Sequence, residues 1–354
     1  MQSMKKLKEL QTREDLALYL TIPLQKLTYI LYKSKPDSYY DTFEIPKKNG
    51  ESRQIHAPSG DLKQLQKKLA QRLWDVYREF IEENEIQDNI SHAFQKGKSI
   101  ITNANIHRNK RYVLNLDLKD FFDHFHFGRV RGFFMKNKNF ELPVEIATMI
   151  AQLTCYEGKL PQGAPTSPII TNLVCNILDM RLLKIAKKYR VVYTRYADDM
   201  TFSTNDKKFL ENQENFMKSI KKEIESFGFE INDKKTRLLF CDSRQEVTGL
   251  VVNKKISVNR EYCKRTRAMA DAFYRRGIFE ICGEEGSVNQ LEGRFSFINQ
   301  IDCYNNKNDR EQKHTFWTLN ARERQYQKFL FFKYFYANTK PLIVTEGKTD
   351  IVYL

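Results

Sequence analysis

The sequence predicts a mixed α+β chain in which a small antiparallel sheet is backed by long helices. Three observations predict it. The apolar run Tyr112-Val113-Leu114-Asn115-Leu116 ends abruptly in Asp117, as a buried strand does on reaching an exposed edge. Two short strand-like runs, 191–195 and 200–203, flank Tyr196-Ala197-Asp198-Asp199, so they read as a hairpin with two acids at its tip. Residues 143–155 and 172–189 are helix-like and are expected to back that sheet.

From the amino end, Thr12-Arg13-Glu14-Asp15 has the form of a helix start with acids in its first turn. Leu24, Leu27, Ile30 and Leu31 give a second amphipathic stripe. Residues 45–55 read as a hairpin around Asn49-Gly50. In 61–83, Leu62, Leu65, Leu69, Leu73 and Val76 recur at helical spacing; the basic outer face, with Lys63, Lys67, Lys68 and Arg72, either tracks nucleic-acid phosphates or is simply solvated. The loop Leu160-Pro161-Gln162-Gly163-Ala164-Pro165-Thr166-Ser167-Pro168 opens the helix-like stretch 169–178; taken alone it is more often an ordinary structured loop, and otherwise a platform for a phosphate or a base. Beyond Gly249 the character turns helical and basic, with Arg260, Lys264, Arg265, Arg267, Arg275 and Arg276 close together.

Composition narrows the class. Against 44 Asp and Glu stand 59 Lys and Arg, a formal net charge of +15, which favours a polyanionic partner through counterion release. The 25 Phe and 18 Tyr offer core material and stacking surfaces for bases. At 354 residues the chain can divide into two or three lobes. The first ten residues are basic and polar and no apolar run approaches the length a bilayer needs, so a cytoplasmic, bacterial-type protein without a membrane partner is expected. Six Cys are scattered without Cys-x-x-Cys pairs, which indicates neither a zinc site nor a disulfide frame, and they read as reduced, mostly buried thiols.

An Asp-Asp pair alone is more often a plain solvated turn. A third acid at the end of a separate strand gives the pair a chemical use. Phosphoryl transfer by the two-metal route needs oxygen ligands for two Mg²⁺ ions about 3.5–4 Å apart, one serving the attacking hydroxyl and one the leaving pyrophosphate. Asp117, Asp198 and Asp199 supply such oxygens, and without cations they would repel one another.

The order of strand ending in Asp117, Leu-Pro-Gln-Gly loop with helix, and Tyr-Ala-Asp-Asp hairpin resembles the palm of reverse transcriptases. The resemblance implies a right-hand polymerase: amino-terminal helices in 1–40, fingers in 41–110, a palm with an antiparallel sheet in 111–257 that carries part of the fingers around 125–170, and a helical thumb in 258–336. It implies that Lys48 and Arg53 grip the incoming triphosphate, that Gln162 lies against the nucleotide, and that Lys235 stands near the active centre. Phe122 aligns with an aromatic gate against ribose 2′-hydroxyls, with plain core packing as the alternative. Val247-Thr248-Gly249, within Glu246–Leu250, resembles the primer grip.

Asn103-Ala104-x-x-His107 and Val247-Thr248-Gly249 match elements typical of retron reverse transcriptases, and 291–298 resembles a stretch of their thumbs. That narrower resemblance implies an RNA-directed DNA polymerase that copies its own structured non-coding RNA into branched multicopy single-stranded DNA. Synthesis would start from a guanosine 2′-hydroxyl and use deoxynucleoside triphosphates and two Mg²⁺ ions, with Mn²⁺ as a substitute in vitro. It also implies a place in anti-phage defence beside an effector nuclease domain or subunit. At the carboxy end, the apolar run 341–344 leads into Glu346-Gly347-x-x-Asp350, which resembles the first strand and acidic loop of a TOPRIM domain, so 337–354 is expected to begin such a segment. The rivals are another bacterial reverse transcriptase of group II intron or diversity-generating type, a non-catalytic RNA-binding scaffold, and a nuclease acting through Glu346 and Asp350.

Overall fold

The computed structural model describes residues 2–46, 50, 52–84, 88–308, 318–338 and 341–344. They form two compact units, Met1–Ser243 and Arg244–Leu354.

The first unit begins with three short helices, α1 (Gln2–Lys8), α2 (Arg13–Tyr19) and α3 (Leu24–Thr28). Thr12 and Asp15 close a reciprocal capping box at the start of α2, the acid-rich helix start expected there. These helices lean on α4 (Gly60–Glu83). Its Leu62, Leu65, Leu69, Leu73 and Val76 are buried, while on the basic side Lys68 bonds the Thr21 carbonyl at 2.8 Å and Arg72 bonds that of Tyr19 at 3.2 Å. Half of the expected phosphate-tracking face therefore anchors the amino-terminal helices. The hairpin strands β1 (Tyr40–Pro46) and β2 (Ser52–Pro58) pair antiparallel from Tyr40 opposite Pro58 to Pro46 opposite Ser52. Lys48 lies outside the described residues.

The central sheet is antiparallel, in the order β4-β5-β3-β6, with β3 (Tyr112–Asp117), β4 (Val192–Tyr196), β5 (Asp199–Thr204) and β6 (Arg237–Phe240). Flanked on both edges and covered by helices, β3 buries nearly every residue, which explains its almost continuous apolar run. Behind the sheet lies α8 (Ser167–Lys188), buried around much of its circumference through Ile169, Leu173, Cys175, Leu178 and Leu182. Helices α5 (Ile100–Ile106), α6 (Phe127–Lys136), α7 (Val144–Thr154) and α9 (Phe209–Ser226) complete the unit. Phe121, Phe125 and Phe229 pack ring on ring under the loop that follows β3.

In the second unit β7 (Glu246–Val247) and β8 (Leu250–Val251) form a two-residue hairpin. Thr248 and Gly249 take φ +46° and +80° at its tip, the left-handed pair that such a turn requires and the reason a glycine follows the threonine. The remainder is mostly helical: α10 (Arg260–Arg276), α11 (Val288–Asn308) and α12 (Ala321–Phe331) enclose a core of Ala270, Phe273, Phe279, Leu291, Phe295 and Phe329. The basic residues of α10 face solvent, with Arg265 and Arg275 each paired to an acid one turn earlier. Cys155 and Cys175 are buried as expected, but Cys241, Cys282 and Cys303 are exposed. No helix among the described residues is long and apolar enough to cross a membrane.

Candidate active site

Register brings the three acids to one end of the sheet. Asp117, the last residue of β3, lies opposite Asp199, the first residue of β5. The Leu118 amide donates to the Asp198 carbonyl at 3.1 Å, tying the strand end to the hairpin tip, and on the other side the Asn232 amide donates to the Asp117 carbonyl at 2.8 Å. The tip is tight: Ala197 takes φ +57°, a left-handed conformation costing an L-residue about 1–2 kcal/mol.

Asp117 is only 7% exposed, and its carboxylate accepts hydrogen bonds from the Lys235 ammonium at 2.9 Å and from the Asn232 side-chain amide at 3.3 Å. The Asp117 bond is the main reason the Lys235 ammonium is pushed up from its ordinary value. Partial burial raises the Asp198 carboxyl, with Asp117 adding repulsion and Lys235 and Arg53 opposing it. Asp199 presents much of its surface to solvent at the strand end, yet its carboxyl is hemmed in by protein. That desolvation first, and then repulsion from Asp198 and Asp117, pushes it up to about 7. The cluster is short of positive charge. All its acidic donors are hard oxygens, the donor set a Mg²⁺ ion takes. Among the described residues no three His, Cys, Asp or Glu side chains are grouped so as to hold a metal ion as they stand, and the Asp117 carboxylate is bonded to Lys235 and Asn232.

A cleft of about 930 Å³ opens over these residues, lined among others by Arg53, Asp117, Phe122, Gln162, Asp198 and Lys235. Five of the residues expected to serve nucleotide and metal thus share its wall with Lys235. The Gln162 carbonyl accepts from the His56 amide at 2.9 Å, joining the loop to β2. Gly163 makes this approach feasible. It takes φ +120°, and a Cβ there would stand 2.9 Å from Ile55 Cγ2 and 3.0 Å from the His56 carbonyl oxygen. Ser167 donates to the Pro161 carbonyl at 2.7 Å and closes the loop at the start of α8. Phe122 is half-buried, edge-on to Phe121 while facing the cleft, so it packs on the core and borders the site at once.

Asn103, Ala104 and His107 are buried away from the cleft, on and just after α5. The imidazole bridges the two strands of the acidic hairpin: Nδ1 is 2.7 Å from Ser203 Oγ and Nε2 is 2.7 Å from Thr194 Oγ1. Thr194 donates to Asn103 Oδ1 at 2.6 Å, so its oxygen must accept from Nε2–H, which leaves Nδ1 to accept from Ser203. Burial pushes the imidazole down to about 3 and keeps it neutral. Val247, Thr248 and Gly249 form the hairpin of the second unit described above. Glu346, Gly347 and Asp350 lie outside the described residues.

Sequence reasoning missed a buried ion pair. Arg195 in β4 and Asp179 in α8 are 0% and 2% exposed, joined through Nε at 2.9 Å and Nη2 at 2.8 Å. A signal for it exists in the local context: Asp179 follows Ile177-Leu178 and Arg195 follows Val191-Val192-Tyr193-Thr194, where a buried unpaired charge would be prohibitive.

Residues 45–266 match a sequence family described as reverse transcriptase (RNA-dependent DNA polymerase). The chain is 33% identical over 291 residues to the Retron Ec86 reverse transcriptase of Escherichia coli, covering 81% of this chain and 84% of that one. With the Retron Mx162 reverse transcriptase of Myxococcus xanthus it shares 32% identity over 326 residues, covering 84% of this chain and 65% of that longer relative. A solved telomerase structure from Candida albicans superposes with a TM-score of 0.45 and 11% identity, covering 85% of this chain and 61% of that one. The family match over 45–266 and sequence identity of this extent, on an antiparallel sheet with acids at one end, make the chain a member of the reverse transcriptase family, on its retron branch.

Proposed function

We propose that this reverse transcriptase copies its own structured RNA into branched multicopy single-stranded DNA, starting from an RNA 2′-hydroxyl. The observation that carries the catalytic assignment is the register of Asp117 opposite Asp199, with Asp198 tied to Leu118 beside them. Asp117, Asp198 and Asp199 would hold two Mg²⁺ ions. Bound there, the ions would lower the pKa of the attacking hydroxyl and neutralise charge on the leaving pyrophosphate.

The chain's own residues do the rest. Arg53, on β2 at the cleft wall, meets the negative charge of a triphosphate, with Lys48 proposed beside it from the hairpin motif. Gln162 is held at a fixed height by its carbonyl bond to His56 and lies against the sugar and base. Phe122 borders the sugar edge as a gate against the 2′-hydroxyl. Lys235 holds Asp117 in place and supplies positive charge at the primer and template side. Val247, Thr248 and Gly249 are assigned to the primer grip from their motif, and the exposed cations of α10 to the phosphates of the RNA–DNA duplex, contacts that position without reading sequence. A defence role beside an effector nuclease, and the TOPRIM-like reading of 337–354, rest on the retron relatives and on the Glu346-Gly347-x-x-Asp350 motif respectively.

Sequencing the nucleic acid that copurifies with the protein tests this reading. A single structured RNA joined to DNA through a 2′–5′ linkage, sensitive to debranching enzyme, is the expected result. Linear cDNA primed from ordinary 3′ ends would instead favour a group II intron or diversity-generating type of activity. Deoxynucleotide incorporation that persists in Asp198→Asn would remove the two-ion assignment.

A further inference from the structure

Arg195 reaches the acidic hairpin tip from beneath. Two of its nitrogens grip Asp179 as a fork, while Nη1 donates to the Ala197 carbonyl at 3.2 Å and lies near Asn172 Oδ1. Its own backbone is pinned on the outer edge of the sheet, where its amide donates to the Ile90 carbonyl at 2.8 Å and its carbonyl accepts from the His92 amide at 2.9 Å. Asp179 is held in turn by the Tyr193 hydroxyl at 2.9 Å. A chain of contacts therefore runs from the rigid helix α8 through Asp179 and Arg195 to the peptide that joins Ala197 to Asp198.

That peptide belongs to the strained part of the turn. Ala197 is left-handed at φ +57°, a conformation that an alanine keeps only when its surroundings over-determine it. A buried guanidinium paired to one carboxylate would be satisfied by a purely structural role. Here a further donor is spent on the one carbonyl whose direction sets how Asp198 leaves the strand, and Asp199 follows at once. Rotation of that peptide, about ψ of Ala197 and φ of Asp198, would redirect the Asp198 carboxylate and the Asp199 that follows it.

We propose that Arg195, clamped by Asp179, is a positioning residue that locks the Ala197–Asp198 peptide so that both carboxylates are presented together to divalent ions. This rests on the assignment of Asp198 and Asp199 as ion ligands. The guanidinium never meets substrate; it acts through the turn.

The test uses the full chain, nucleotide-free, with Mn²⁺ as the probe. Arg195→Lys keeps the charge beside Asp179 but lacks the fork that reaches both Asp179 and Ala197. A triple variant, Asp179→Leu with Tyr193→Phe and Arg195→Met, replaces the whole buried polar group by apolar side chains, an exchange that such sites often tolerate without loss of stability. Melting temperature, Mn²⁺ binding by electron paramagnetic resonance, and kcat and KM for a deoxynucleotide are measured together. The expected result is melting close to that of the parent, Mn²⁺ affinity weakened by about tenfold and the Mg²⁺ concentration needed for activity raised by about tenfold, with lower kcat and unchanged KM. If the triple variant does not fold, Arg195→Lys decides on the same readouts. Parent-like Mn²⁺ affinity and Mg²⁺ requirement in a folded variant would overturn the positioning role. Asp198→Asn and Asp199→Asn separate the two assignments: Mn²⁺ binding undiminished in both removes the ligand reading, and the positioning role with it.

Discussion

The Lys235 ammonium stands 2.9 Å from the Asp117 carboxylate, and it is the cation that holds this acid at the end of β3. Its charge also acts on the other two acids, since it opposes the upward push on both Asp198 and Asp199. One side chain thus fixes the position of one carboxylate and helps keep its neighbours ionised.

Replacing Lys235 by Met should move the acid limb of the pH–rate profile upward by roughly 0.5–1 unit, because an opposing charge within a few ångströms has been removed. Lys235→Arg should leave the limb in place. The lysine side chain is 61% exposed, so the difference should shrink as salt is raised. Identical acid limbs for Met and Arg at low salt would show that charge at this position is irrelevant to the acids.

Asp199, pushed up to about 7, sets a stability window with a definite sign. A carboxyl whose folded value lies above its unfolded value stabilises the fold fully at pH below the unfolded value, and that contribution is lost as pH rises through about 7. In chelator the protein should therefore melt lower at about pH 8 than at about pH 6 through this group, and Asp199→Asn should melt higher than the parent at the alkaline end. Divalent ions compete with the proton, so added Mg²⁺ should raise melting most at about pH 8 and move the acid limb of the rate profile down. An acid limb that stays fixed between low and saturating Mg²⁺ would argue against ion binding at Asp199.

Gly163→Ala should disturb nucleotide binding more than turnover. The new methyl meets Ile55 Cγ2 at 2.9 Å and the His56 carbonyl oxygen at 3.0 Å, and the backbone there is one that L-residues rarely adopt. Backbone cannot yield as a flexible side chain does, so the loop carrying Gln162 should part from β2. The expected result is a rise in KM for deoxynucleotides of about tenfold with a smaller fall in kcat. Ile55→Ala should fail to rescue it, since the carbonyl clash and the backbone strain remain; full rescue would place the effect in the side-chain contact alone.

What the sequence makes legible here follows from locality. Asp117, Asp198 and Asp199 are readable because a strand that ends in an acid and a hairpin with acids at its tip are local patterns, and only their register had to come from the structure. The limits of α7 and the capping box at Thr12 follow from short-range rules in the same way. Gly163 reads as a loop residue, because its need for glycine lies in contact with Ile55 and His56, more than a hundred positions earlier. Arg195 reads as the end of a strand, and only the placement of Asp179 across the core turns it into a buried pair. The Asn103–His107 motif is visible as a pattern, but its buried links to Thr194 and Ser203 depend on how α5 packs behind the hairpin.

Phe122→Val should relax sugar discrimination, raising ribonucleotide incorporation relative to deoxynucleotide by about tenfold or more. Because the ring also packs edge-on against Phe121, some loss of stability is expected alongside. A gate and a packing residue differ in their readout. If Phe122→Val melts lower yet keeps the parent ratio of deoxy to ribo incorporation, the ring serves the core only.

His107 yields a sharper test because both its bonds and its charge state are defined. Substitution by Leu leaves the buried Ser203 hydroxyl without its imidazole and Thr194 with one partner fewer, a cost of about 1–3 kcal/mol for each group left short. The imidazole is held neutral, pushed down to about 3, so the folded chain refuses a proton that the unfolded chain accepts below its ordinary value. Its contribution is thus fully present above about pH 6.5 and drains away as pH falls toward 3. Urea unfolding of parent and His107→Leu at about pH 7 and about pH 5 should show the stability gap narrowing by about 2 kcal/mol. A gap that stays constant over that range would mean that the folded chain takes up the proton as readily as the unfolded one, and the hydrogen-bond chain from Ser203 to Asn103 would have to run in another sense.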